Sequence, residues 1–192
     1  MPKLSKDYYL QTDVVYLAKD LLGKTLFTLF DSQLTGGIIT ETEAYAGITD
    51  KASHAYGNRR TKRTEIMYHA GGEAYVYLCY GMYSLFNVVT NIEGVPHAIL
   101  IRAIKPVEGI AEMERRINKT IKSDKTTQGP GKLSRVLGIH YSHSGISLAG
   151  NSIWIEDNNL RLNDSQIITS PRIGIDYAKE DALLPYRFVA TL

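Results

Sequence analysis

Two glutamates and a tyrosine alternate along ITETEAYAGITDKASHAY, residues 39–56. Alternate residues of an extended strand point to the same face, so Glu41, Glu43 and Tyr45 are expected to lie side by side. A polar stretch then leads to His54. Neighbouring carboxylates repel each other and are usually solvated, but a pair held in a cleft suits acid–base chemistry. The pattern alone leaves both interpretations open.

Two polar residues interrupt strands that are otherwise apolar. Arg102 lies among aliphatic residues in HAILIRAIKP, residues 97–106. A guanidinium buried there requires a carboxylate partner. Asn87 lies between Leu85 and Val89 in SLFNVVT and must also find hydrogen-bond partners. A core ion pair for Arg102 and a capped bulge for Asn87 are the structural alternatives to a functional role.

The segment YVYLCYGMY, residues 75–83, combines a strand with a turn of large side chains. Tyr75 and Tyr77 share a strand face, whereas Tyr80, Met82 and Tyr83 fall in or beside the turn. Exposed rings at a hairpin tip lose burial energy unless they insert into a partner. Packing over a helix is the alternative explanation.

These features together predict a reaction on a nucleotide. A Glu and an Arg at the base of a tyrosine-lined cavity can hold and deprotonate a water, while Tyr80 wedges between stacked bases. Such an apparatus suits flipping a nucleotide out of the duplex and attacking its sugar. Inserting a wedge costs a few kcal/mol of stacking, which contacts to phosphates and to the flipped base must offset.

Basic residues concentrate in two segments that are expected to face DNA. NRRTKR, residues 58–63, contains Arg59 and Thr61, and residues 115–135 contain seven basic residues against Asp124 alone. The second segment includes GPGKLSRVLGI, where a helix is predicted to begin near Pro130. Free backbone N–H groups at its start, beside Lys132, suit a phosphate.

Length and composition set the bounds of the prediction. A chain of 192 residues with a net charge of +2 fits one domain with a sizeable core. It has no apolar run of the roughly 20 residues that a membrane span needs and no signal-like start, so a soluble, intracellular protein is expected. Cys79 is the single cysteine, which excludes an internal disulfide and a multi-thiolate metal site.

Hydrophobic periodicity predicts a β-rich α+β fold. Asp13 is a plausible N-cap for a helix that stops at Gly23, another helix at about 107–120 is expected to bury Ile110, Met113 and Ile117, and a third ends near Gly138. A hairpin is predicted around ISLAGNSIWIED and an irregular tail from Ser170. The absence of regular βαβ alternation favours a curved antiparallel or mixed sheet, an open barrel-like core flanked by helices. The predicted strands cover 25–30, 37–45, 74–80, 84–90 and 97–104.

The chain resembles the alkyladenine (3-methyladenine) DNA glycosylases of the mammalian alkylpurine type, which also occur in bacteria. The likeness runs nearly end to end and is carried most specifically by ETEAYAGITDKASHAY and AYVYLCYGMYSLFNVV. Other matching segments are LAKDLLGK, ILIRAIKPVEG, GPGKLSRVLGI and PRIGIDYAKEDALLPYRF. Where many relatives read Thr-Pro-Arg-Asn, this chain has Thr61, Lys62, Arg63 and Thr64.

The resemblance implies one mixed α/β domain over residues 1–192, built on a curved antiparallel sheet. It implies a monofunctional hydrolase that uses no metal or other cofactor and removes 3-methyladenine, hypoxanthine or etheno-adenine from double-stranded DNA. The short N-terminus is typical of a bacterial, cytoplasmic form. It is expected to act as a monomer without an obligate protein partner.

The resemblance also implies a role for each site residue. Glu43 would be the general base, with Arg102 helping to hold the water. Apart from the resemblance, the chemistry requires a proton for a neutral leaving group such as hypoxanthine; the sequence does not identify the donor, and His54 is only a candidate. The expected base pocket consists of Tyr45 and His54 as a sandwich, Tyr77 at its edge and Asn87 crowding the 2-amino group of guanine. DNA contacts are expected from Tyr80 as the intercalating ring, Met82 and Tyr83 in the minor groove, and Arg59, Thr61 and Lys132 on the backbone.

Several competing activities fit the residues less well. A zinc deaminase needs a paired-cysteine motif that a single cysteine cannot supply. His140 and His143 have the spacing of loop residues rather than of a metal site. Glu41 and Glu43 lie on the same strand face and cannot flank a sugar as the two acids of a glycosidase. A non-catalytic nucleic-acid binding module remains the alternative.

Overall fold

The computed structural model describes residues 2–191 and shows a single α+β domain built on one antiparallel sheet that curls into a half barrel. The predicted fold class is therefore confirmed. The sheet order is β3-β4-β5-β2-β1-β6, and β8 pairs with both β2 and β7. The strands are β1 Thr25–Phe30, β2 Gln33–Tyr45, β3 Ala74–Cys79, β4 Tyr83–Thr90, β5 His97–Glu108, β6 Ile153–Glu156, β7 Ile167–Ser170 and β8 Arg187–Ala190.

Within residues 2–191, four α-helices flank the sheet, and their ends follow local sequence signals. They are α1 Lys6–Tyr9, α2 Val14–Asp20, α3 Ile110–Ile117 and α4 Pro130–Leu137. Asp13 caps α2 by accepting hydrogen bonds from two backbone N–H groups, and α4 ends at Gly138 in the left-handed conformation, both as predicted. In residues 2–191, no helix is long and apolar enough to cross a membrane.

The prediction for α3 was partly wrong. Met113 is fully buried, but Ile117 is half-buried and Ile110 is exposed. Strand β5 continues to Glu108, and Gly109 turns the chain with φ 66° into the helix. Ile110 consequently falls in the first turn of a shorter helix, at the surface rather than in the core.

Two predictions for the C-terminal third were also wrong. Residues 146–157 do not form a hairpin, because β6 pairs with β1, more than 120 residues earlier in the chain. The tail after Ser170 is not irregular throughout. It contains a 3-10 segment, Asp176–Leu183, and strand β8, which pairs with Glu41–Glu43 of β2. In both cases a distant strand supplies the partner.

Strand β2 carries the candidate catalytic residues through the middle of the sheet. Its pairing with β5 shifts register twice around Glu41, and Arg102 is the β5 residue passed over at the second shift, between Ala103 and Ile101. Bulges of this kind redirect a side chain. The opposite face of β2 packs on α2, where the Thr42 hydroxyl donates to the Ala18 carbonyl at 2.7 Å. Glu41, Glu43 and Tyr45 are thus left on the face turned towards Arg102.

Candidate active site

Glu43 is fully buried and has three polar neighbours. Its Oε2 accepts a hydrogen bond from the Tyr45 hydroxyl at 2.8 Å, and its Oε1 accepts one from the Ile173 backbone N–H at 2.8 Å. Arg102 Nη1 lies 3.4 Å from Oε2. The carboxylate is therefore held in one orientation by groups from β2, β5 and the C-terminal segment.

Glu41 also binds Arg102, with a distance of 2.8 Å from Nε to Oε1. The same carboxylate oxygen accepts a hydrogen bond from Arg187 Nε of β8 at 2.6 Å. The prediction that Arg102 needs a carboxylate partner is confirmed, and two glutamates fill that role. Because Glu41 is shared between two guanidinium groups, Glu43 is the less neutralised acid of the pair.

Burial raises the pKa of Glu43 above its ordinary value of 4.5, and Arg102, the Ile173 N–H and the Tyr45 hydroxyl counteract this only in part. The acid is therefore a stronger base than a solvated glutamate. Burial and the nearby Glu43 charge also raise the pKa of Tyr45, which stays protonated and donates to Glu43.

A cavity of about 190 Å³ opens above this ion-pair cluster. Glu43 does not line it but lies directly behind Tyr45, Arg102 and Ile173, which do. Pockets for drug-sized ligands are roughly 300–1,000 Å³, so this space suits a small flat ring system rather than a whole nucleotide. The lining includes every residue predicted for the base pocket, namely Tyr45, His54, Tyr77 and Asn87.

His54 is fixed against two tyrosines of β3. Its Nδ1 lies 2.8 Å from the Tyr75 hydroxyl, and its ring meets the Tyr77 ring edge-on, with centroids 4.6 Å apart. Burial, together with the positive charges of Arg63 and Arg59, lowers its pKa to about 4. The imidazole is neutral at physiological pH, which argues against His54 as a proton donor.

The side chain of Asn87 is satisfied by neighbouring backbone groups. Its Nδ2 donates to the carbonyls of Tyr75 at 3.1 Å and Leu85 at 3.3 Å. The predicted need for partners is therefore met without a second polar side chain. These bonds hold the amide rigidly in the cavity wall.

The turn between β3 and β4 presents three large side chains beside the cavity. Tyr80 is 88% exposed, Met82 69% and Tyr83 52%, and Tyr80 also lines the cavity. Tyr80 adopts a left-handed φ of 51°, which costs a bulky residue of order 1–3 kcal/mol. Tyr83 packs on α4 so closely that a Cβ at Gly131 would lie 2.9 Å from its ring. The turn thus keeps these side chains exposed, with backbone strain at Tyr80.

The three residues predicted to contact the DNA backbone belong to two segments, the loop after His54 and helix α4. Arg59 is exposed and close enough to His54 to affect its pKa, and Thr61 closes a turn by bonding to Thr64. Lys132 is exposed on α4. The expected row of free N–H groups at the start of α4 is only partly present, because the Gly129 N–H donates to the Arg102 carbonyl and Pro130 has none.

Sequence reasoning missed a buried ion pair behind Tyr45. Arg172 Nη2 lies 2.9 Å from Asp50 Oδ1, and both side chains are almost completely buried. The guanidinium also lies 4.8 Å from the centroid of the Tyr45 ring. Tyr177, on the same C-terminal segment, lines the cavity and donates to the Ala52 carbonyl at 3.1 Å. Their partners lie over 120 residues away, so no local pattern could identify them.

His140 and His143 belong to a loop, as predicted. His140 caps a 3-10 turn through the Ser142 N–H, and His143 stacks on Phe30 with centroids 4.3 Å apart. Among the described residues, no group of three potential ligands could hold a metal ion.

Comparison with known proteins gives a match over almost the whole chain. Residues 8–191 match the family described as methylpurine-DNA glycosylase. Proteins named "Putative 3-methyladenine DNA glycosylase" are 46% identical in Chlamydia felis, covering 98% of this chain and 96% of theirs, and 48% identical in Chlamydia abortus, covering 97% of each. A protein of that name from Bacillus cereus is 47% identical, covering 94% of this chain and 92% of its own.

Proposed function

This chain belongs to the methylpurine-DNA glycosylase family, and we propose that it repairs DNA as a 3-methyladenine DNA glycosylase by flipping a damaged purine nucleotide out of the duplex, so that its base enters the aromatic cavity. A water activated by Glu43 then attacks the sugar. The observation that carries this proposal is a buried carboxylate of raised pKa, paired with Arg102 at the floor of an aromatic cavity and next to an exposed tyrosine wedge.

The reaction replaces one bond to C1′ of the deoxyribose by another. The N-glycosidic bond breaks and its electron pair leaves with the base, the water oxygen bonds to C1′, and Glu43 takes the water proton. Positive charge that develops on the sugar is stabilised by the carboxylate. Arg102 Nη1 lies 3.4 Å from Glu43 Oε2, so a water on the cavity side of this contact can bond to both groups.

The cavity wall supports recognition of an electron-poor purine. Tyr45 and His54 supply faces for stacking, Tyr77 closes one edge and Asn87 projects its fixed amide towards the ring. A cationic base such as 3-methyladenine is attracted to aromatic faces and leaves without further protonation. Hypoxanthine and etheno-adenine are proposed as further substrates. Hypoxanthine is neutral and needs a proton to leave, which neutral His54 does not supply. We therefore expect hypoxanthine to be released more slowly than 3-methyladenine.

Base release tests the function directly. We expect the purified chain to release 3-methyladenine from methylated duplex DNA, detected by chromatography of the free base. A panel of oligonucleotides that each contain one hypoxanthine or etheno-adenine defines the substrate range. Binding to the same DNA without any released base would instead identify a non-catalytic binding module.

Tyr80→Ala should weaken binding to lesion DNA by about 5- to 150-fold, because stacking of one base on an aromatic ring is worth roughly 1–3 kcal/mol. We expect a smaller rise in the fluorescence of a 2-aminopurine placed next to the lesion, since less of the nucleotide is flipped. Tyr16→Ala is a matched control, because Tyr16 is 54% exposed and does not line the cavity. A fluorescence change equal to that of the wild type would contradict the wedge role.

A further inference from the structure

The seven basic residues of the segment 115–135 divide into two groups in the structure. Arg115 and Arg116 both bind Glu112, at 2.6 and 2.9 Å. The other five side chains are exposed and line an open groove of about 730 Å³ between the end of α3 and the outer face of α4. This lysine groove consists of Lys119, Lys122, Lys125, Lys132 and Arg135.

The cations of the lysine groove lack acidic partners among the carboxylates whose side chains the structure describes. Elsewhere, Lys19, Lys51 and Arg161 each pair with a carboxylate at the surface. Five positive charges in a segment whose only acidic residue is Asp124 create a positive local potential, although the chain as a whole carries only +2. Such a surface attracts an extended polyanion.

Helix α4 connects the lysine groove to the cavity. Pro130 at its start lines the cavity, Gly131 contacts Tyr83 of the hairpin tip, and Lys132 and Arg135 line the groove. At 1.5 Å per residue, Pro130 and Arg135 are about 7.5 Å apart along the helix axis. This distance is short, so a duplex bound at the hairpin tip also passes over the groove.

We propose that the lysine groove binds the phosphate backbone of the duplex arm that leaves the hairpin tip on the α4 side. This rests on the proposed function, which places the base of a flipped nucleotide in the cavity. Lysines act as point charges towards phosphate, and contacts with phosphate carry no base information, so this binding is independent of sequence. It strengthens binding on the α4 side of the lesion.

The test uses the variant Lys119→Ala/Lys122→Ala/Lys125→Ala and a duplex with a central abasic analogue that has no N-glycosidic bond. Binding is followed by fluorescence anisotropy between 50 and 200 mM KCl. Each phosphate contact contributes about 0.9 to the slope of log K against log salt, so the variant slope is expected to be shallower by about 2–3. The variant Lys3→Ala/Lys6→Ala/Lys19→Ala removes the same charge elsewhere and should keep a slope close to that of the wild type.

Trimming one arm of the duplex to about four base pairs locates the contact. Wild type should lose affinity when the arm in the groove is shortened, whereas the groove variant should be insensitive to that same trimming. Equal slopes for the groove variant and the wild type, or equal sensitivity of both to trimming, would overturn the inference. Because this duplex cannot release a base, failure here is distinct from failure of the glycosylase function.

Discussion

Glu43→Gln is expected to abolish base release while the protein still binds lesion DNA. General-base assistance is typically worth 10²–10⁴-fold, and loss of the charge that stabilises the developing sugar cation adds to it, so we expect a loss of at least about 10³-fold. Single-turnover release measures the chemical step, and anisotropy with the same duplex measures binding. Release at a rate near that of the wild type would contradict the assignment of the base.

Glu41→Gln is the matched control, because Glu41 lies two residues away on the same strand face but is shared by Arg102 and Arg187. We expect a smaller loss of activity, since Glu41 positions Arg102 and the proposed base, Glu43, stays in place. Glu43→Gln should remain folded. The raised pKa means that the folded chain binds the Glu43 proton more tightly than the unfolded chain does, so ionisation at neutral pH costs stability and a neutral side chain avoids that cost.

The pH dependence of base release gives a second readout of the same carboxylate. Glu43 acts as a base only when ionised, so the rate should fall as the pH drops through a pKa above 4.5. Arg102 lowers that pKa, and Arg102→Met should therefore move the acidic limb to higher pH. The residual activity of Glu43→Gln should lack this limb.

Asp50→Ala is expected to destabilise the protein by about 3–5 kcal/mol, because it leaves the buried Arg172 guanidinium without a carboxylate. Arg172 would keep hydrogen bonds to the carbonyls of Ala44 and Asp181, which carry no compensating charge. For a chain of this size the melting temperature should fall by about 6–20 °C. Thermal denaturation followed by circular dichroism measures the change.

Glu180→Ala is the control, because it removes a different ion pair between the same two segments of the chain. Glu180 pairs with Lys51, the residue after Asp50, but its side chain is 68% exposed. Exposed ion pairs contribute little to stability, so the melting temperature should hardly change. A loss for Asp50→Ala no larger than that for Glu180→Ala would show that the buried pair is not structurally important.

Local patterns were sufficient to predict the centre of the site. Alternation placed Glu41 and Glu43 on one face, and the apolar surroundings of Arg102 required a carboxylate partner. Three of the five predicted strands agree with the observed limits within one residue, whereas β2 begins four residues earlier and β5 ends four residues later than predicted. The large exposed side chains at residues 80–83 were correctly placed at a turn. In each case the information lies within about ten consecutive residues.

The remaining features depend on contacts between distant segments. Strands β6 and β8 have four residues each and are fixed by pairing with β1 and β2, which their own short sequences do not reveal. Likewise, Arg172 in PRIGIDYAKED resembles any surface arginine until Asp50 is placed beside it. Tertiary context therefore decided the structure of the C-terminal third and with it one wall of the cavity.

Strand β2 is hydrogen-bonded on both edges, to β5 on one side and to β1 and β8 on the other. Its central amides open only when most of the sheet comes apart, whereas a loop can fray alone. Because Glu43 and Tyr45 belong to this strand, their positions are fixed as long as the sheet is intact. On heating, base-release activity should therefore be lost in the same transition as the fold. We expect no intermediate in which the sheet is intact and Glu43 is displaced.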